Sequence, residues 1–289
     1  MLTFQPSPIQ SVIWPLATQS GVTVDIKRDD LLHPVVSGNK WRKLQYLLDD
    51  AQARGCARLL SMGGSWSNHL HALAYAGKKL GIETEAFVRA HPEQELTPTL
   101  RDCQRWGMTL HFKSRVEYAE LRKKTRWDAW QQRFADSYWF SEGGFSLLAI
   151  QGVKDIANEV QQHYDYIFVG CGSGATLCGL VSAFPESKVV GVAAFSGAEY
   201  LTEQLQVYLP QNTNWELDTR HHCGGFAKTT DRLKHLQQEL ESGNRFLLDQ
   251  VYNAKVFLAL HDWLSEGQIS SGSKVLVIHT GGLQGRQAP

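Results

Sequence analysis

Four stretches of this chain repeat one arrangement, a short apolar run of strand character that passes directly into a glycine-rich turn. They are Arg58–Met62 into Gly63-Gly64-Ser65-Trp66-Ser67-Asn68, Tyr138–Phe140 into Ser141-Glu142-Gly143-Gly144, Tyr166–Val169 into Gly170-Cys171-Gly172-Ser173-Gly174-Ala175-Thr176, and Lys274–Ile278 into His279-Thr280-Gly281-Gly282. Helical periodicity follows the first three, over Leu70–Leu80, Leu147–Val160 and Leu177–Phe184. Further strands are predicted at Val22–Asp29, Thr84–Val88, Thr109–Phe112 and Lys188–Val192. Further helices are predicted at Thr97–Trp106, Val116–Phe134, Thr230–Leu240 and in a segment reaching Leu264. Strand alternating with helix dictates the parallel, twisted sheets of an α/β protein. Ligands of such sheets bind outside the strands' carboxyl ends, so Ser65–Asn68, Gly170–Thr176 and Thr280–Gly282 are expected to face one cleft.

With 289 residues, 43% of them apolar, the chain can build a full core and is expected to fold as two lobes. The 29 basic and 29 acidic residues balance, and no long run of one sign occurs. Neither nucleic acid nor an anionic membrane is an expected partner; a small molecule is. The start, Met1-Leu2-Thr3-Phe4-Gln5-Pro6, lacks a basic segment followed by an apolar one, and no apolar run approaches a membrane span, which reads as cytoplasmic. The five cysteines include no C-x-x-C pair and read as free thiols. His69-Leu70-His71 and His221-His222-Cys223 lack a spaced second pair, so no metal is expected. Trp127 and Trp130 read as packing residues, and Lys123, Lys124 and Arg126 as a solvated helix face.

A second constraint is Ser37-Gly38-Asn39-Lys40-Trp41-Arg42-Lys43-Leu44. Leu44, Leu47, Leu48 and Ala51 recur at helical spacing up to Gly55, which starts a helix near Asn39 and puts Lys40 in its first turn. Three cations there oppose the positive end of the helix dipole. Either they splay into solvent, or the positive end, the neighbouring cations and partial burial depress the pKa of Lys40 and yield a neutral amine able to form an imine with a carbonyl. Gly170–Thr176 is a ready anion site at a helix start. It lacks the Lys-Ser/Thr pair of a Walker A loop. Ala175 also stands at the third glycine of a dinucleotide fingerprint, with no acid at the end of the next strand. What remains is a single phosphate, or a tight turn with close helix packing.

An imine-forming lysine beside a one-phosphate cradle points to pyridoxal phosphate. Gly38-Asn39-Lys40-x-Arg42-Lys43-Leu44, Ser67-Asn68-His69, Glu142-Gly143-Gly144, Gly172-Ser173-Gly174-x-Thr176, Leu248-Asp249-x-Val251-Tyr252 and His279-Thr280-Gly281-Gly282 stand in the order found in the 1-aminocyclopropane-1-carboxylate deaminase and D-cysteine desulfhydrase family. The resemblance runs from about Asp29 to Gly282. It implies an α/β, two-lobed fold-type II (tryptophan synthase beta-like) enzyme that uses pyridoxal 5'-phosphate. Each lobe would be a mostly parallel twisted sheet flanked by helices: a larger lobe from residues 1–45 plus 146–289, and a smaller inserted lobe from 46–145.

By the same resemblance, Lys40 would bind the cofactor covalently and act in catalysis with Ser67 and Tyr252. Asn68 would meet the phenolic oxygen, Gly172, Ser173, Gly174, Ala175 and Thr176 the phosphate, and Thr280 the pyridine nitrogen. Lys43 is expected to be dispensable. Trp66 stands where relatives carry Gln and is expected to narrow the pocket. Phe226 replaces a second tyrosine, and Asn253 stands where the cyclopropane deaminase has Glu. The implied activity is a lyase or deaminase on a small amino acid, most simply D-cysteine desulfhydrase-like elimination to pyruvate, ammonia and sulfide, by a homodimer. Alternatives are 1-aminocyclopropane-1-carboxylate deaminase and a cofactor-binding module with little turnover.

Overall fold

The computed structural model describes residues 5–286 apart from 124–128, 130–131, 135 and 210. Lys124, Arg126, Trp127 and Trp130 therefore lie outside the described residues, as does much of the second half of the helix expected over 116–134. The chain opens with β1 (Ile9–Ser11), α1 (Pro15–Gln19) and β2 (Thr23–Lys27), then enters α2 (Asn39–Ala53). Its middle runs through β3 (Arg58–Gly64), α3 (Asn68–Leu80), β4 (Glu83–Arg89), α4 (Pro98–Arg105), β5 (Thr109–Lys113), α5 (Arg115–Leu121) and β6 (Ser137–Trp139). After α6 (Leu147–Lys154) come β7 (Tyr166–Cys171), α7 (Ala175–Ala183), β8 (Lys188–Ala193), α8 (Tyr200–Gln206) and β9 (Trp215–Asp218). The last elements are α9 (Asp231–Gly243), α10 (Asn253–Ser265) and β10 (Lys274–Ile278). Among the described residues no helix is long and apolar enough to cross a membrane.

Two sheets result. The middle of the chain forms an all-parallel four-stranded sheet in the order β5-β4-β3-β6. Both chain ends share a six-stranded sheet, β1-β2-β10-β7-β8-β9, parallel except for the β1–β2 pair. Its central strands are covered on both faces, which is why they read as unbroken apolar runs rather than alternating ones. On one face Phe168, Val190 and Val277 pack with Phe257, Leu260 and Trp263 of α10. On the other, Ile167, Val169 and Leu276 pack with Leu177, Leu180 and Val181 of α7 and Val153 of α6. Leu44, Leu47, Leu48 and Ala51, the apolar stripe of α2, join Leu59, Leu73 and Val88 around the smaller sheet.

Because β10 lies between β2 and β7, the turn after β10 meets the turn before α2. Gly38, which precedes α2, has φ +66°, and a Cβ there would lie 1.9 Å from the Thr280 carbonyl oxygen. Only glycine accepts that backbone angle and that approach together. The helix expected over 147–160 is α-helical only to Lys154 and continues as a 3-10 turn, Asp155–Glu159. There the Glu159 carboxylate accepts from Lys27 and Arg42, which holds the chain out of the helical path. β1, α1, α8 and β9, of three to seven residues, went unpredicted because such short pieces carry too few positions to show a period.

α6 crosses α2 at Gly152, where a Cβ would lie 1.9 Å from the Arg42 carbonyl oxygen. Alanine is favoured over glycine in a helix by about 1 kcal/mol, but here the backbone contact dominates. Gly152→Ala is expected to destabilise the protein by about 2 kcal/mol or more, seen as a lower urea midpoint at unchanged slope. A midpoint at or above that of the parent protein would contradict the contact.

Candidate active site

The three cations of the α2 start do not splay into solvent: Arg42 and Lys43 are 4% and 3% exposed, and Lys40 is half-buried. Helical spacing sends them in different directions. Arg42 turns away from the cleft, donating from Nε to Asp29 Oδ2 at 2.6 Å and from Nη1 to Glu159 Oε1 at 2.8 Å. Lys27 Nζ donates to Glu159 Oε2 at 2.6 Å, completing a buried network that raises the Arg42 pKa. Lys40 and Lys43, three residues apart on one face, instead line a cleft at the carboxyl ends of β7 and β10. Burial lowers Lys40 to about 8 against an opposing pull from Asp249. The cause is thus desolvation, with no share from Arg42. Burial, reinforced by Lys40, pushes Lys43 well below its ordinary value.

No acidic side chain is among the residues lining this cleft. Opposite the lysines stands the glycine loop, and α7 begins at Gly174, which has no side chain to cap it. The first-turn amides therefore point outward with the positive end of the helix dipole behind them. Asn39 Nδ2 donates to Thr176 Oγ1 at 2.8 Å, clamping the start of α2 to the start of α7 and leaving the threonine proton free. Amines, outward amides and hydroxyls without a carboxylate suit a dianionic phosphate.

Lys40, Asn68, Gly172, Ser173, Gly174, Thr176, Tyr252 and Thr280 are brought together here as anticipated, with Asn39, Lys43, Gly143, Gly170 and Cys171 beside them. Ser67 and Ala175 do not line the cleft. Ser67 caps α3, its hydroxyl oxygen accepting from Leu70 N at 3.2 Å, and Ala175 is buried in the α7 core. Trp66 is 44% exposed and does not line the cleft either, against the expected narrowing. Phe226 meets Tyr252 edge to face, ring centroids 6.1 Å apart. Burial raises the Tyr252 hydroxyl, which stays protonated.

Asn253 does not line the cleft at all. It is fully buried; its Oδ1 accepts from Thr280 N at 3.0 Å and from Thr280 Oγ1 at 3.3 Å, and its Nδ2 donates to Asp249 and to the Gly281 carbonyl. Asp249 in turn accepts from the amides of Val251, Tyr252 and Asn253 at 3.0, 2.7 and 3.0 Å. Asp249 and Asn253 thus fix where Tyr252 and Thr280 sit.

The histidines of the 69–71 and 221–222 pairs each have a protein partner; His222 Nδ1 accepts from Gly224 N at 3.0 Å. His69 shares a hydrogen bond with Ser61 Oγ at 2.9 Å and is lowered to about 3 by burial and the two lysines. His71 faces Asp102 at 3.4 Å, and His221 lies between Asp218 and Asp262 at 2.8 and 3.1 Å. All five cysteines are free thiols. Sequence reasoning missed Lys43, although its spacing from Lys40 on one helical face was a usable signal. Asn39 and Asp249 were visible as motif members but carried no assigned role.

The family model of pyridoxal-phosphate dependent enzymes matches residues 6–281. A mitochondrial bifunctional D-cysteine desulfhydrase/1-aminocyclopropane-1-carboxylate deaminase of Arabidopsis thaliana is 27% identical, over 98% of this chain and 78% of its own. A D-cysteine desulfhydrase of Salmonella paratyphi A is 27% identical, over 96% of this chain and 92% of its own. Among solved structures, the crystal structure of an ACC deaminase homologue superposes with a TM-score of 0.85 at 29% identity, covering 97% of this chain and 90% of that one.

Two outcomes test this geometry. A lysine with a depressed pKa must shed its proton as the chain folds, a cost that is greatest at low pH and shrinks by about 1.4 kcal/mol per pH unit toward the free-lysine value of about 10.4. Lys43→Met is therefore expected to stabilise the cofactor-free protein at pH 7, with an advantage that fades as pH rises toward 10, while weakening pyridoxal phosphate binding by about tenfold or more. Denaturant titrations across pH and a cofactor titration read both. Asn253→Glu sets a second carboxylate against Asp249 and removes two donated hydrogen bonds. It is expected to cost about 3 kcal/mol and to lower the thermal midpoint by about 6 °C or more; a midpoint unchanged from the parent would refute the bracket.

Proposed function

This chain belongs to the pyridoxal-phosphate dependent enzyme family, and from that premise we propose that it is a lyase removing a β-substituent and ammonia from a small amino acid, with D-cysteine or a near relative as substrate. The observation that carries the reading is the acid-free cleft in which a lysine amine with a pKa of about 8 faces an uncapped helix start. That donor set fits a phosphorylated pyridine aldehyde. Lys40 would hold the carbonyl carbon, Gly172–Thr176 and Lys43 the phosphate, Asn68 the phenolic oxygen and Thr280 the ring nitrogen. When bound, the cofactor supplies an electron sink for the substrate's α-carbon.

The chain's own residues do the rest. Once the substrate's own amine has replaced it at the cofactor, the Lys40 amine, uncharged in part near neutral pH, would be free to take the α-proton. Tyr252, kept protonated by burial, donates to the departing sulfur as the carbon–sulfur bond breaks with its electron pair on sulfur. Ser67 accepts from Leu70 N but keeps its own proton; lying outside the cleft lining, next to Asn68, it would reach the substrate carboxylate only where the substrate extends toward the start of α3. Water then converts the released enamine to pyruvate and ammonia.

The bifunctional Arabidopsis relative also supports a second reading, ring opening of 1-aminocyclopropane-1-carboxylate. We rank it lower because the side chain at 253 is an amide and the cleft lining contains no acid. We further propose a lobe division after residues 45 and 145, which keeps each sheet within one lobe, and a cytoplasmic homodimer, to be checked by light scattering and cell fractionation.

The purified protein is expected to be yellow, and borohydride is expected to bleach it and leave the pyridoxyl label on the peptide containing Lys40. Lys40→Ala should remove both the visible band and turnover. D-cysteine, L-cysteine, β-chloroalanine, serine and 1-aminocyclopropane-1-carboxylate should then be screened for pyruvate or α-ketobutyrate. A label on another lysine sinks the role of Lys40, and no product above the rate of free cofactor sinks the lyase.

A further inference from the structure

We propose that Gln284, in the segment after the Thr280–Gly282 turn, is a positioning residue that sets which end of the Asn68 amide faces the cofactor. The proposal rests on the reading above that Asn68 meets the cofactor's phenolic oxygen. Asn68 is the first residue of α3, on the side of the smaller sheet, and it lines the cleft. Its side chain has an accepting end, Oδ1, and a donating end, Nδ2, of nearly the same shape. An amide that can turn over presents either end, and a phenolate oxygen is served only by the donor.

Gln284 takes up the accepting end. Its Nε2 donates to Asn68 Oδ1, across 216 positions of sequence. With the acceptor engaged, the Nδ2 hydrogens are what Asn68 has left to offer. Gly282, on the same segment, leaves room for this: a Cβ there would lie 3.0 Å from Asn68 Nδ2.

The segment is itself held. Leu283–Gly285 forms one turn of 3-10 helix, with Gly285 N donating to the Gly282 carbonyl at 3.2 Å. Arg286 then pairs with Glu241 of α9, and its Nη1 donates to the Leu248 carbonyl at 3.2 Å. Glu241 Oε1 also accepts from Leu248 N at 2.7 Å. One carboxylate thus ties this segment to the residue just before Asp249, whose carboxylate holds the Tyr252 amide. Gln284 reaches the small-sheet side of the cleft from an anchor on the large-sheet side.

The test compares Gln284→Ala, Gln284→Glu, Asn68→Ala and the Gln284→Ala/Asn68→Ala pair. Three readouts are taken: the visible band of the holoprotein, the cofactor dissociation constant measured by titrating the cofactor-free protein, and the thermal midpoint of the cofactor-free protein. Gln284→Ala is expected to shift the band and weaken cofactor binding by about fivefold, the size of one hydrogen bond, at an unchanged midpoint. Gln284→Glu, which accepts but cannot donate, should turn the Asn68 amide over and weaken binding more than alanine does. In the Asn68→Ala background, Gln284→Ala should add nothing.

The proposal is overturned by wild-type band and affinity in Gln284→Ala, by a glutamate variant no weaker than the alanine variant, by additive losses in the pair, or by a fall in midpoint that matches the loss of affinity. If Asn68→Ala itself leaves band and affinity intact, the reading of Asn68 fails and this inference falls with it. A normal loss in Asn68→Ala beside a silent Gln284→Ala removes this inference alone.

Discussion

The contact on which the rest of the molecule depends is the one between the turn that leads into α2 and the turn that follows β10. Insertion of β10 between β2 and β7 brings the two chain ends into one sheet. The Gly38 backbone then lies against the Thr280 carbonyl, with no room for a side chain between them. The helix carrying Lys40 therefore starts at the carboxyl edge of the large sheet, while its apolar stripe packs around the small one. Asn39 binds the same helix to the start of α7. A lysine on a free loop could not be held between the glycine loop and a buried threonine; one in the first turn of a clamped helix is.

The electrostatics follow from that placement. Three adjacent cations at a helix start would be unfavourable if all met the same environment. Helical spacing separates them, so Arg42 joins Asp29, Glu159 and Lys27 in a buried ion network while Lys40 and Lys43 face a cleft lined by no acid. Arg42 is charged and matched by ion pairs; the two lysines are desolvated without an ion pair, only Asp249 pulling Lys40 the other way, which is the condition that lowers an amine's pKa and makes a dianionic ligand welcome. A polar bracket sets the opposite wall. Asp249 receives three consecutive amides and Asn253, and Asn253 receives both donors of Thr280. With its hydroxyl proton directed at Asn253, Thr280 offers the cleft lone pairs.

Much of this was legible in the residues alone. The α/β class followed from strands alternating with helices, and the start of α2 near Asn39 from apolar spacing that runs up to Gly55. Gly170–Thr176 stood out by its glycines between a strand and a helix, and most of it lines the cleft. These are local properties: backbone freedom, period and turn chemistry act over a few residues, so a sequence carries them openly. That Lys43 lines the cleft was not legible, because spacing tells which residues share a face but not whether that face meets solvent or a cleft.

The tertiary structure decided the partners. That Asn253 braces Thr280 instead of lining the cleft, that Arg42 turns to Asp29, and that Gln284 reaches Asn68 are pairings across 27, 13 and 216 positions. Nothing in the neighbouring residues of any of these side chains names its partner. The sequence by itself determined which segments become strands, turns and helices, because those choices depend on near neighbours. Which polar groups face one another, and hence which lysine is desolvated and which amide is held in one orientation, was settled only when both chain ends entered one sheet, since a hydrogen bond or a desolvation depends on the distance between atoms in the folded protein and not on their separation along the chain.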